Sequence, residues 1–291
     1  MHLTALQSES GGYNLLDLSQ IYQLADKFGL ALTQEEHIQH LAWIIEYVAA
    51  TVSSEASGLL LGPELGFQAV QKKAADTGLV LAIEKQSELL SPNEMPKLYP
   101  HWGIEQVRNN YGVAYFRFFY HPDEPLAQQK KQLAAELYDY SQYEGIEMII
   151  ELALSDAQSQ LKTDDSFAET QLFAAKEFQP LTDLLALEYP KSSLACATLT
   201  AQLDIPWILV DGKQDYPQFK EYLRIALESG ASGCLTHLIS WLNLPKLKLY
   251  GDPNKTTAAW ATLEKYIQTE LRDRLIEITR IVNEKKLESL S

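Results

Sequence analysis

The chain has little cysteine, a deficit of positive charge and no long apolar run, and each shortage excludes something. Two cysteines in 291 residues, Cys196 and Cys234, lack metal-ligand spacing and cannot build a disulfide framework. They read as buried thiols of a reducing compartment. Lys and Arg number 24 against 39 Asp and Glu, a net charge of −15. Such a balance repels a nucleic-acid backbone or an anionic bilayer, so no nucleic-acid partner is expected. No stretch is apolar for the length of a membrane span. The opening Met1-His2-Leu3-Thr4-Ala5-Leu6 has no basic region followed by an apolar run. A cytoplasmic protein without membrane insertion is the expectation. A Pro/Gly/Ser-rich linker is also missing, so residues 1–291 read as one domain. Metal motifs are absent too. His37 and His40 stand three apart on a helix-like segment without an evident third ligand, and no metal or cofactor is implied.

What is present is an alternation of short apolar runs with amphipathic segments. The runs are Leu3–Leu6, Gly58–Leu61, Leu79–Ile83, Val113–Tyr120, Ile146–Leu152, Leu184–Leu187, Trp207–Val210 and Gly233–Thr236. Helix-like stretches such as Pro125–Tyr143 and Tyr216–Glu228 separate them. Near-continuous apolar strands, each followed by a helix, imply a parallel sheet covered on its outer face. Eight units fit a closed TIM (β/α)8 barrel, of the α/β class, at this chain length. Two features fall outside the repeat: a helical pair within Leu18–Ala50 and a long amphipathic helix over Thr256–Lys286.

Several fragments in this order resemble the tagatose-bisphosphate aldolase family of class I aldolases. Leu59-Leu60-Leu61-Gly62-Pro63-Glu64 matches its second strand and turn, Leu79–Lys85 its third, Phe116–Tyr120 its fourth. Ile149-Ile150-Glu151-Leu152 matches the fifth, and Ser229–Gly233 with Trp241 the eighth. The resemblance implies an imine mechanism needing an unprotonated lysine, an acid/base carboxylate and cations for two phosphates. In this sequence Ala186 stands where the Schiff-base lysine belongs. The fourth-strand lysine is matched by Tyr115 and the first-strand Asp-Gln-Arg by Leu6-Gln7-Ser8. The eighth-strand arginine is matched by Leu238 and the seventh-strand serine by Asp211. Glu151 preserves the acid/base carboxylate. The chain reads as a divergent member lacking the Schiff-base lysine.

Strand side chains alternate in direction, so residues two apart share a face. If Tyr115 points inward, so do Arg117 and Phe119. Glu188 shares the face of Ala186, and Asp211 and His237 fall at the strand ends where barrel enzymes work. Arg117, Glu151, Glu188, Asp211, Lys213 and His237 are therefore the expected mouth residues. They form either an internal ion-pair network or a binding site. Asp211-Gly212-Lys213 is either an anion-binding turn or an ordinary strand-to-helix connection. Lys85 either pairs with Glu84 or a neighbouring strand, or keeps a family role. The aromatics Phe118, Phe119, Tyr120, Tyr138, Tyr140 and Tyr143 are expected to pack between barrel and helices.

Two functional expectations follow. One is a degenerate aldolase-like barrel, not a competent tagatose-bisphosphate aldolase, serving as a binding, regulatory or assembly protein. Its ligand would be a small anionic or carbonyl compound, and the C-terminal helix over Leu263–Ile281 would meet a protein partner or a second copy. The other is a lyase or isomerase on a small carbonyl or sugar-phosphate substrate. There Glu151 is the acid/base and the lysine has moved to Lys191 or Lys213.

Overall fold

A computed structural model describes residues 3–85, 94–154, 163–212, 214–238, 242, 247–251 and 253–290. Eight parallel strands close into a barrel in chain order. They are β1 (Tyr13–Asp17), β2 (Gly58–Leu61), β3 (Gly78–Ala82) and β4 (Val113–Phe119), then β5 (Met148–Ala153), β6 (Leu184–Leu187), β7 (Trp207–Val210) and β8 (Gly233–His237). The ring is closed by β1 and β8, with Tyr13 opposite Gly233 and Asp17 opposite His237. The expected TIM barrel is therefore present, with its additional helices at both ends of the chain.

Around the sheet lie α1 (Ile21–Phe28), α2 (Glu35–Val52), α3 (Ile104–Asn109), α4 (Ala127–Glu144), α5 (Asp164–Phe178), α6 (Ser193–Gln202) and α7 (Tyr216–Glu228). Three of them start with a side-chain cap. Thr163, Ser192 and Asp215 accept from the backbone N–H of Ser166, Ala195 and Gln218, stabilising each first turn by about 1 kcal/mol. α4 stops at Gly145, whose φ of 71° is the left-handed ending that favours glycine. The C-terminal helix runs through Pro253–Tyr266 and Arg272–Leu290, joined by a π-helical turn at Ile267–Leu271.

Strand residues divide strictly by parity. Leu59, Leu61, Leu81, Phe116, Phe118, Ile150, Leu185 and Leu209 face the helices. Leu15, Leu60, Ala82, Tyr115, Ile149, Ala186, Val210 and Leu235 face inward and fill the barrel. Among the aromatics, Phe116, Phe118, Tyr120 and Phe178 pack together between sheet and helices. Tyr140 and Tyr143 do not join them. They lie on the outer face of α4, Tyr143 being 83 % exposed.

The expected first strand is displaced. Leu3–Leu6 is a 3-10 turn, and β1 begins ten residues later. Leu6 plugs the bottom of the barrel as part of the inner cluster. Glycine is what admits it: a Cβ on Gly78 would lie 2.5 Å from Leu6 Cδ2, and one on Gly58 2.9 Å. Leu6-Gln7-Ser8 therefore cannot be the end of a strand, and the residue that ends β1 at the mouth is Asp17.

The C-terminal helix also departs from its expected use. Leu263, Ile267, Leu271, Leu275, Ile278 and Ile281 are buried, and the helix packs on β1, α2 and α7. Its apolar face is covered by its own barrel, so that face is not a docking surface. Among the described residues no helix is long and apolar enough to cross a membrane.

Candidate active-site cleft

Two residues beyond each inward-facing side chain, every strand offers one more position at the C-terminal mouth. Around the ring these are Asp17, Gly62, Glu84, Arg117, Glu151, Glu188, Gly212 and His237. Six ionisable side chains and two glycines thus crown an apolar core. The sequence had reached Arg117 and Glu188 by parity, Glu151 by the family resemblance and His237 by its place at a strand end. It missed Asp17 because β1 was misplaced, and Glu84 although that residue shares the face of Val80 and Ala82.

The crown is organised by two clusters. In the first, Arg117 Nε lies 2.8 Å from Glu151 Oε1, across the β4–β5 register that sets the two side by side. The Tyr115 hydroxyl donates to Glu151 Oε2. Both oxygens of Glu151 thus face groups of β4. Burial raises the Tyr115 phenol far above its ordinary value, and the neighbouring Glu151 adds to this. Burial likewise pushes the Glu84 carboxyl well up, against bonds from its own and Arg117's backbone.

In the second cluster, His237 Nδ1 is 2.7 Å from Asp17 Oδ2 and Nε2 is 3.6 Å from Asp211 Oδ1. Burial alone would lower the imidazole, but Asp211 and Asp17 outweigh it and hold the pKa at about 9. His237 is an imidazolium at neutral pH, clamped between two acids. Ser19 fixes Asp17 through its backbone N–H and hydroxyl, at 2.7 and 2.6 Å from Oδ1. Asp211 Oδ1 also accepts the His237 backbone N–H at 2.9 Å.

Ala186 lies below this crown, wholly buried beside Tyr115 in the inner cluster. Above it opens a cleft of about 460 Å³ whose walls include Arg117, Glu151, Glu188, Lys191, Asp211 and His237. Five of the six expected mouth residues are thus brought together, while Lys213 lies outside the described residues. Gly212 makes an ordinary connection: its N–H is taken by Gln214 Oε1 at 3.1 Å. Lys191 stands on the cleft rim with φ of 73°, its ammonium 4.4 Å over the Phe167 ring. Lys85 faces Glu64 of the β2 turn at 4.0 Å, outside the cleft.

No group of three metal-ligating side chains occurs among the described residues. His37 and His40 instead pack against Tyr250 and Trp260, and His37 Nδ1 accepts the Ala31 N–H. Cys196 and Cys234 are free and buried, with burial pushing the Cys196 thiol up to about 12.

No family model matches the chain. It is 25 % identical over 269 residues to tagatose 1,6-diphosphate aldolase 2 of Enterococcus faecalis, spanning 81 % of this chain and 79 % of the relative. The corresponding Streptococcus pyogenes serotype M1 protein is 20 % identical over 279 residues, spanning 85 % of each. The chain is a relative of the tagatose-bisphosphate aldolases. An archaeal fructose 1,6-bisphosphate aldolase structure superposes with a TM-score of 0.64 at 9 % identity, covering 97 % of this chain and 98 % of that one. A fructose-bisphosphate aldolase from Slackia heliotrinireducens gives 0.61 at 13 % identity, covering 96 % and 88 %. At such identities these structures speak for the fold alone. Within this aldolase-like barrel, the positions matched to the family's cations are the buried Tyr115 and Leu238.

Proposed function

We propose that the protein is a degenerate aldolase-like barrel that no longer forms an imine and is not a competent tagatose-bisphosphate aldolase. It acts as a binding, regulatory or assembly protein, as one cytoplasmic domain, with the cleft above Glu151 and Arg117 as its ligand site. The observation that carries this reading is the burial of Ala186 beneath a crown in which Tyr115 and Arg117 occupy both oxygens of Glu151. A methyl group supplies no nucleophile. Glu151 accepts the Tyr115 hydroxyl on one oxygen and faces the Arg117 cation with the other, so it is already engaged as a partner of β4. Arg117 is paired with Glu151 and His237 with Asp17 and Asp211, which is how buried ions persist. The cleft remains open above them, so the crown forms a floor for a ligand.

Lys191 supports the alternative, a lyase with a relocated lysine, because it stands on the rim of the same cleft. Its amine nitrogen lies 4.4 Å over the Phe167 ring, a contact it would have to leave to reach a substrate carbonyl. The two readings separate in a coupled triose-phosphate assay with tagatose 1,6-bisphosphate. The binding reading gives no cleavage above the enzyme-free rate, in the wild type and in Lys191→Gln alike. Cleavage that disappears in Lys191→Gln establishes the lyase instead.

A further inference from the structure

Charges around the cleft are matched in a way that constrains what enters it. Among the described residues its cations are Arg117, Lys191 and His237. Arg117 is paired with Glu151, His237 lies between Asp17 and Asp211, and Lys191 sits over Phe167. The nearby start of α7 is closed to anions as well. Asp215 caps it with its own carboxylate, and Pro217 in the first turn has no N–H to offer. An arriving phosphate would meet Glu151, Glu188 and Asp211, while the deeper cations Arg117 and His237 are already paired with acids and Lys191 stands only at the rim. Like charges so placed weaken the binding of an anion.

Two amide atoms on the cleft wall point to what does fit. Gln23 Oε1 and Gln214 Nε2 are buried and have no hydrogen-bond partner among the described residues. A buried polar atom left in this state is destabilising, so a complementary group is needed there. One atom needs a donor and the other an acceptor, and a hydroxyl supplies both. Beside them the rings of Tyr189 and Tyr222 lie face to face, centroids 3.9 Å apart and 4° from parallel. Gln218 Nε2 steadies the pair through the Tyr222 hydroxyl at 2.9 Å. The wall thus joins flat aromatic surface to amides and carboxylates, a mixture suited to a ligand with C–H faces and many O–H donors.

We infer that the cleft binds an unphosphorylated polyhydroxy compound, a free sugar or sugar alcohol, neutral or bearing an amine. Its hydroxyls meet Gln23 and Gln214, and its C–H face lies along Tyr189 and Tyr222. The inference rests on the reading of this cleft as a ligand site and adds the ligand's chemical class.

Titration calorimetry tests it with D-tagatose, ribitol and D-glucosamine on one side, and tagatose 1,6-bisphosphate and inorganic phosphate on the other. At least one uncharged or amine-bearing probe binds, and the phosphorylated probes bind at least about tenfold more weakly. Gln23→Leu and Gln214→Leu each weaken that binding by about tenfold, whereas Tyr143→Ser on the outer face of α4 leaves it unchanged. Reading both glutamine variants keeps the test decisive if one fails to fold. Tighter binding of the bisphosphate overturns the ligand class and leaves the ligand site standing. Silence of every probe overturns both. Binding of D-tagatose followed by a borohydride-stable adduct keeps the ligand class and overturns the non-catalytic reading.

Discussion

The two ends of this barrel are closed by opposite means. At the bottom, Leu6 enters an apolar socket made by the missing side chains of Gly58 and Gly78. At the top, the same strands end in a ring of acids arranged around one guanidinium and one imidazolium. The bottom needs only shape and burial. The top needs each charge to find its opposite, and it leaves a cleft where the ring is incomplete at Gly212. Stability resides in the lower end and chemistry in the upper one, as the fold's general division would have it. Here the upper end is a salt-bridged floor with Ala186 beneath it.

That contrast is most exposed at Arg117. Arg117→Met leaves Glu151 without its cation and is expected to lower unfolding free energy by about 3–5 kcal/mol in urea titration. Combining it with Glu151→Leu should recover most of the loss, since a pair replaced together leaves no orphaned charge. If the single variant is as stable as wild type, the crown is not held by this pair. At the opposite end, Leu6→Ala should cost about 2–5 kcal/mol with no effect on ligand binding, because a cavity opens far from the cleft.

The upper end should also be sensitive to alkali where the lower end is not. His237 has a folded pKa of about 9 against 6.5 for the free imidazole. Its contribution is therefore fully present below pH 6.5 and lost as pH rises through about 9. The slope is at most about 1.4 kcal/mol per pH unit from this one group. His237→Gln should flatten the stability profile over that window, and Leu6→Ala should keep the wild-type slope. A profile unchanged by His237→Gln breaks the proposed clamp by Asp17 and Asp211. The smallest effect is expected from Gly78→Ala, about 1–3 kcal/mol from crowding Leu6 Cδ2 and the Ala5 carbonyl. Pairing it with Leu6→Ala should relieve part of that cost and would confirm the plug.

The sequence was legible where burial on both faces makes a strand apolar along its length. β2, β3, β6 and β7 satisfy this condition, β4, β5 and β8 carry their polar residues only towards the mouth, and all seven lie where the apolar runs indicate. β1 does not: Tyr13-Asn14-Leu15-Leu16-Asp17 carries two polar residues that are buried only because tertiary partners receive them. Asn14 donates to Thr279 Oγ1 and the Glu55 carbonyl, groups more than forty residues away in the chain. No local pattern announces such bonds, whereas Leu3-Thr4-Ala5-Leu6 imitates a strand and is a plug. The Gly11-Gly12 turn before Tyr13 was the available signal. The mouth was legible to the extent that alternation could be counted from a correctly placed strand. Arg117 and Glu188 followed from it, Asp17 fell with the misplaced β1, and Glu84 was within reach of the same counting. The pairing of His237 with two acids, and the unpartnered amides of Gln23 and Gln214, arise from side chains far apart in sequence.

The proposal that the protein forms no imine is tested most directly by mass. The protein is incubated with dihydroxyacetone phosphate, reduced with borohydride and weighed intact, with peptide mapping of every lysine. An unmodified mass is the expected result, because Ala186 offers no amine and Lys191, the lysine that lines the cleft among the described residues, is engaged over the Phe167 ring. A stoichiometric adduct on Lys191, Lys213 or any other lysine would contradict the account.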